Sequence, residues 1–97
     1  MSKENLKTNI SLEAMYMELG KFYFLNNKYD AAILEFKKVL EINSANAEAY
    51  YNIGLIKESS NLIDEAKEMY SRALSINSDY KIVKERLDKL IGIKSNE

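Results

Sequence analysis

The chain has 97 residues, 46 % of them hydrophobic and 30 % charged, with 14 basic against 15 acidic side chains and a formal net charge of −1, which describes one ordinary small globular domain. Cysteine and histidine are both absent, which excludes a disulfide framework, a thiol nucleophile, a thiolate metal site and the commonest general base. The balanced charge offers no footprint for a phosphate backbone, and no apolar run approaches the length of a membrane span.

Residues 1–11 carry only Leu6 and Ile10 as apolar anchors and no apolar block of the secretory kind. They are expected to form a flexible segment ahead of a cytoplasmic domain, or of a domain cut from a longer chain. A first helix is predicted over 12–26, because Tyr16, Leu19, Gly20 and Tyr23 recur at i, i+3, i+4 and i+7. A second follows over 29–42, where Ala32, Ile33, Phe36, Val39 and Leu40 keep the same period. Between them lies Asn26-Asn27-Lys28, and asparagine is the best residue after glycine for the left-handed backbone that ends a helix. Helices over 46–59 and 62–76 repeat the arrangement around Ser59-Ser60-Asn61. A terminal helix over 80–92 is marked by Tyr80, Val83, Leu87, Leu90 and Ile91, with Asp79 as N-cap and Gly92-Ile93 as its stop, and residues 94–97 form a tail.

These elements are two copies of one unit. An offset of 34 residues relates Tyr16 to Tyr50, Leu19 to Ile53, Gly20 to Gly54, Asn27 to Asn61, Ala32 to Ala66, Phe36 to Tyr70 and Asn43-Ser44 to Asn77-Ser78. Glycine inside a helix costs about 1 kcal/mol relative to alanine. Its recurrence at Gly20 and Gly54 therefore predicts two close backbone approaches, Gly20 against the Ala32 region and Gly54 against the Ala66 region, that let paired helices pack near side chains as large as Phe36 and Tyr70. At the same phase the terminal helix carries Asp88, whose carboxylate suits a helix that covers the second unit and turns a polar side to water.

Tyr16-x-x-Leu19-Gly20-x-x-Tyr23 followed by Ala32-x-x-x-Phe36 resembles the tetratricopeptide repeat, with its 34-residue period. The second unit, Tyr50-x-x-Ile53-Gly54 followed by Ala66-x-x-x-Tyr70, is similar but has Lys57 where the family has tyrosine. Ser44 and Ser78 stand where a proline is common, and Tyr16 and Tyr50 replace its tryptophan. The resemblance implies an all-α solenoid of helical hairpins: repeats over 13–46 and 47–80, a capping helix over 80–92, five helices within a domain of 12–93.

No constellation in the chain supports catalysis. Carboxylates such as Asp64, Glu65 and Glu68 read as a solvated helix face, there is no glycine-rich phosphate loop, and no cofactor or metal is expected. Lysines and arginines are interleaved with acids, as in Lys37-Lys38 beside Glu35 and Glu41, so no nucleic-acid partner is expected and no insertion into a membrane. What remains is a surface for another protein. In the family, the first helix of each pair lines a concave groove, and the resemblance places Met17, Lys21 and Phe24 there, then Tyr51, Asn52 and Leu55, then Arg86. Apolar anchors among mixed charges suit a peptide or helix of a partner protein.

Some relatives clamp a C-terminal carboxylate with five polar residues. The matching positions here are Met17, Lys21, Asn52, Ile82 and Arg86, of which only Asn52 and Arg86 fit, so a chaperone tail is not the expected ligand. A second expectation is self-association as a structural module through the groove or an end face, because two repeats fall short of the roughly three that usually make a stable stack. The weaker packing implied by Lys57 points the same way.

Overall fold

The computed structural model describes the backbone of residues 3–92 and the side chains of residues 12–92. Among the described residues there are five helices and no strand: α1 (Lys3–Leu25), α2 (Tyr29–Ile42), α3 (Ala47–Ser59), α4 (Ile63–Ile76) and α5 (Lys81–Leu90). This is an all-α helical-hairpin repeat fold. α1 begins earlier than its apolar spacing indicates, with helical backbone from Lys3. The start of the expected flexible segment, residues 1–2, the side chains of the rest of it to residue 11, and Ile93 with the tail at 94–97 lie outside the described residues.

The chain divides into two compact units, Met1–Ala45 and Asn46–Glu97. In the first, α1 and α2 form one antiparallel pair. Its turn is built as the repeated asparagine suggests: Asn27 adopts φ 61°, the Asn27 N–H donates to the Phe24 carbonyl at 2.9 Å, and the Lys28 N–H reaches back to Tyr23 at 2.8 Å. These two bonds satisfy carbonyls that the end of α1 would otherwise leave orphaned. In the second unit Asn61 adopts φ 62° and the same two bonds join Asn61 to Glu58 at 3.0 Å and Leu62 to Lys57 at 2.8 Å.

Gly20 and Gly54 are both buried against the aromatic side chain opposite. A Cβ added at Gly20 would lie 2.7 Å from Cδ1 of Phe36, and one at Gly54 would lie 2.6 Å from Cδ1 of Tyr70. Neither ring can retreat cheaply, since Phe36 and Tyr70 are fully enclosed. The two glycines thus mark where a helix must expose bare backbone for its partner's ring.

In the second unit, Ala66, Tyr70, Ala73 and Val83 form a buried cluster, with Tyr50, Tyr51, Leu55, Leu74, Tyr80, Leu87 and Leu90 packed around it. Through Val83, α5 covers the apolar face of α4, the capping role expected of it. Asp88, half-buried, faces Lys84 at 3.7 Å. Asp79 is not the N-cap. Tyr80 occupies that place, and the Asp79 N–H is instead held by the Asn77 side chain at 3.2 Å. The equivalent Asn43 side chain accepts from the Ala45 N–H at 3.1 Å, so both turns close on an asparagine where the family often has proline nearby. Among the helix starts, α3 has a side-chain cap: Asn46 accepts from Ala49 N–H at 3.0 Å.

Candidate functional site

Within the first unit the three positions expected to meet a partner behave differently. Met17 is 5 % exposed and belongs to the interior. Lys21 is half-buried and its ammonium lies 3.7 Å from Glu18, one helical turn away. Phe24 is half-buried near the end of α1, with its ring 5.8 Å from that of Tyr29. Of the repeat-signature residues, Ala32 and Phe36 are enclosed and Tyr16 and Tyr23 half-buried, with the Lys38 ammonium 5.2 Å above the Tyr16 ring. Leu19 is exposed, although its equivalent Ile53 is buried.

Within the second unit, Asn52 corrects the expectation of an open polar site. It is 6 % exposed, and its side-chain amide donates to the Glu48 carbonyl at 2.9 Å, because a buried amide needs a partner and the helix supplies one four residues back. Tyr51 is half-buried, its ring 6.2 Å from Tyr70 and 5.5 Å from Tyr80. Leu55, a turn further on, is also half-buried against the same cluster. Tyr50 is half-buried, while Ala66 and Tyr70 are enclosed.

Arg86 is the cation the sequence places at this face, and the structure gives it a structural partner. Its Nη1 donates to Glu58 Oε1 at 3.2 Å, and the same oxygen accepts the Tyr70 hydroxyl at 2.7 Å. One carboxylate therefore ties α3, α4 and α5 together. Burial above all, then the hydrogen bond to Glu58 and the charge of Glu58, holds the Tyr70 hydroxyl well above the usual phenol range. Burial opposes the charge of Arg86, but Tyr70 and Glu58 beside it outweigh that and raise its pKa.

Sequence reasoning placed Arg86 at the groove and did not join it to Tyr70 through Glu58. The signal was present in the 34-residue offset: Phe24, Phe36 and Asn52 become Glu58, Tyr70 and Arg86, so three positions change to groups that can bond one another. Lys57 shows the same logic. It takes the place of Tyr23 and pairs with Glu65 at 2.8 Å, so α3 and α4 remain linked there by charge. On the exposed face of α4, Arg72 pairs with Glu68 at 2.9 Å.

Among the described residues no three of His, Cys, Asp and Glu converge as a metal site, and no helix is long and apolar enough to cross a membrane. On α3, Tyr51 and Leu55 leave aromatic and aliphatic surface partly exposed, and on α5 Ile82 is exposed one helical turn from Arg86, which pairs with Glu58 of α3. Such surface can bind, and it presents no paired nucleophile and base.

Comparison with known proteins gives two matches to protein-family models. One, described as "TPR repeat", matches residues 20–61. The other, described as "Tetratricopeptide repeat", matches residues 47–80. No curated protein matches the chain.

Proposed function

The chain belongs to the tetratricopeptide repeat family, whose repeats generally mediate protein–protein interactions and typically serve as non-catalytic scaffolds, and on that premise we propose that it is a module that binds a short segment of a partner protein. The observation that carries this reading is that Tyr51 and Leu55 of α3 stand partly exposed over the cluster around Tyr70, with the Glu58–Arg86 pair joining α3 to α5 and Ile82 exposed one helical turn from Arg86. Tyr51 and Leu55 are supported from behind by the enclosed cluster around Tyr70, so the receptor side loses little freedom on binding. An apolar side chain of the partner would pack over Leu55 and Ile82, and a polar group next to it would meet the rim charges. Lys21 and Phe24 on α1 hold the corresponding places in the first repeat. Met17 and Asn52 support the surface from inside.

The test is selection of binding peptides from a displayed library against the whole chain, with the site mapped by amide chemical-shift changes. Peptides are expected to shift resonances of α3 and α5, and Ile82→Lys is expected to weaken them by roughly tenfold without changing the melting temperature. Peptides that map elsewhere, or that ignore Ile82→Lys, would overturn the reading.

A further inference from the structure

Tyr51, Leu55 and Glu58 recur at i, i+4 and i+7 and so share one face of α3. Beside that face, the ring of Tyr80, in the cap place of α5, lies 5.5 Å from that of Tyr51, and Arg86 reaches Glu58 at 3.2 Å. The aromatic and aliphatic stripe therefore ends in an ion pair. In the first repeat it does not, since Phe24 stands where Glu58 does.

Both members of the pair are held on one side and open on the other. Glu58 gives Oε1 to two donors, the Tyr70 hydroxyl at 2.7 Å and Arg86 Nη1, yet its side chain is 28 % exposed, which leaves Oε2 as its remaining acceptor. Arg86 uses Nη1 on Glu58 and its Nε is buried without a partner, so with the side chain 41 % exposed its open donors are those of the Nη edge. The exposed Glu85 and Lys89 on α5 offset one another as well.

We propose that this pair reads a neutral carboxamide, an asparagine or glutamine side chain of the partner segment, and makes the site selective for it over a carboxylate or an ammonium. The inference rests on the peptide-binding reading above. A carboxamide carries both halves of the match: its N–H donates to Glu58 Oε2 while its oxygen accepts from Arg86 Nη, and neither bond requires the contact between Glu58 and Arg86 to break. A carboxylate would meet Arg86 only against the charge of Glu58, and an ammonium would meet Glu58 only against that of Arg86. The enclosed Tyr70, donating to the same carboxylate, keeps Glu58 from swinging away to relieve the conflict. With Leu55 one turn before Glu58, the amide lies next to an apolar residue of the partner.

Peptides selected from the displayed library against the whole chain, and mapped to α3 and α5, are expected to be enriched in glutamine or asparagine beside an apolar residue. Replacing that amide in the peptide by glutamate or by lysine should each weaken binding to the wild-type chain about tenfold, a comparison in which the protein is not altered. Glu58→Gln should then narrow the deficit of the glutamate peptide, and Arg86→Gln that of the lysine peptide, with helix content checked by circular dichroism. Peptides that map to α3 and α5 without an amide preference, glutamate and lysine forms that bind as tightly, or a folded Glu58→Gln chain that discriminates as the wild type does would each overturn this inference and leave the peptide-binding reading standing. Peptides that map elsewhere would overturn both.

Discussion

The two hairpins solve one packing problem with different chemistry. In both, a glycine lets an aromatic ring come down on helix backbone, Phe36 on Gly20 and Tyr70 on Gly54. In the first hairpin the repeat position of Glu58 is held by Phe24, whose ring lies 5.8 Å from that of Tyr29, so no carboxylate stands there. Around the second, Tyr70 bonds to Glu58, and Glu58 to Arg86. What the difference teaches is that the glycine–ring contact is the invariant of the unit, and the polar network is an addition that fastens a terminal helix. Apolar packing can hold a pair of helices without regard to the order of later ones. A three-way hydrogen bond requires its acceptor, donor and cation in fixed register, which suits the end of an array.

The largest expected effect breaks the comparison at Met17 and Tyr51, which occupy the same repeat position with different burial. Met17→Glu places a charge in the interior and should cost about 3 kcal/mol or more, read as a loss of cooperative unfolding by urea. Tyr51→Glu should cost clearly less. Next come Gly20→Ala and Gly54→Ala. Helix propensity favours alanine by about 1 kcal/mol, but overpacking against an enclosed ring costs about 1–3 kcal/mol, and both variants should melt lower, by similar amounts. A rise in melting temperature for either would show that the rings are free to move.

A hydroxyl exchange sharpens the comparison. Phe36→Tyr buries a hydroxyl in a hairpin where Phe24 stands at the repeat position of Glu58 and offers no acceptor, and should lose about 1–3 kcal/mol. Tyr70→Phe removes a donor but leaves Glu58 with Arg86, and should lose about 1 kcal/mol. The same variant carries a pH signature. A folded-state phenol held above its unfolded value of about 10 contributes its full stability below that pH and loses it as pH rises further. Tyr70→Phe should therefore flatten the alkaline decline in the urea midpoint. The smallest effect belongs to Lys57→Ala, which removes a partly exposed pair with Glu65 and should cost about 0.5 kcal/mol, diminished further by salt.

Much of this fold is legible from residue spacing, for reasons that are local. α2 follows directly from the period of Ala32, Phe36 and Val39, and the left-handed turns follow from Asn27 and Asn61, because turn chemistry depends on few neighbours. The close approaches at Gly20 and Gly54 were legible because an unfavourable residue recurred at one phase, but the groups that meet the glycines are the Phe36 and Tyr70 rings, one turn beyond the Ala32 and Ala66 regions expected. Asp79 misled because residue type alone does not fix the register of a helix start: the chain turns at Asn77, whose side chain accepts the Asp79 N–H, and the helix begins at Lys81 with Tyr80 in the cap place. The N-terminal part of α1 was missed because it has few apolar anchors, and periodicity is silent without them. At the candidate site, Met17 and Asn52 were assigned to the surface by repeat position alone, whereas burial is decided by what else lies near in space. The Glu58–Tyr70–Arg86 network spans three helices and 28 residues of sequence, and no single window contains it.

The asparagine turns have a consequence for how the molecule is made. Each bends the chain through a backbone state that asparagine reaches by simple rotation, and the sequence contains no proline whose peptide bond would have to isomerise first. Both hairpins close between helices adjacent in the chain, so loop closure is short in each. On a ribosome the leading hairpin can zip up while the trailing one is still being synthesised, and the speed of translation, rather than a slow chemical step in the polypeptide, sets the tempo of assembly.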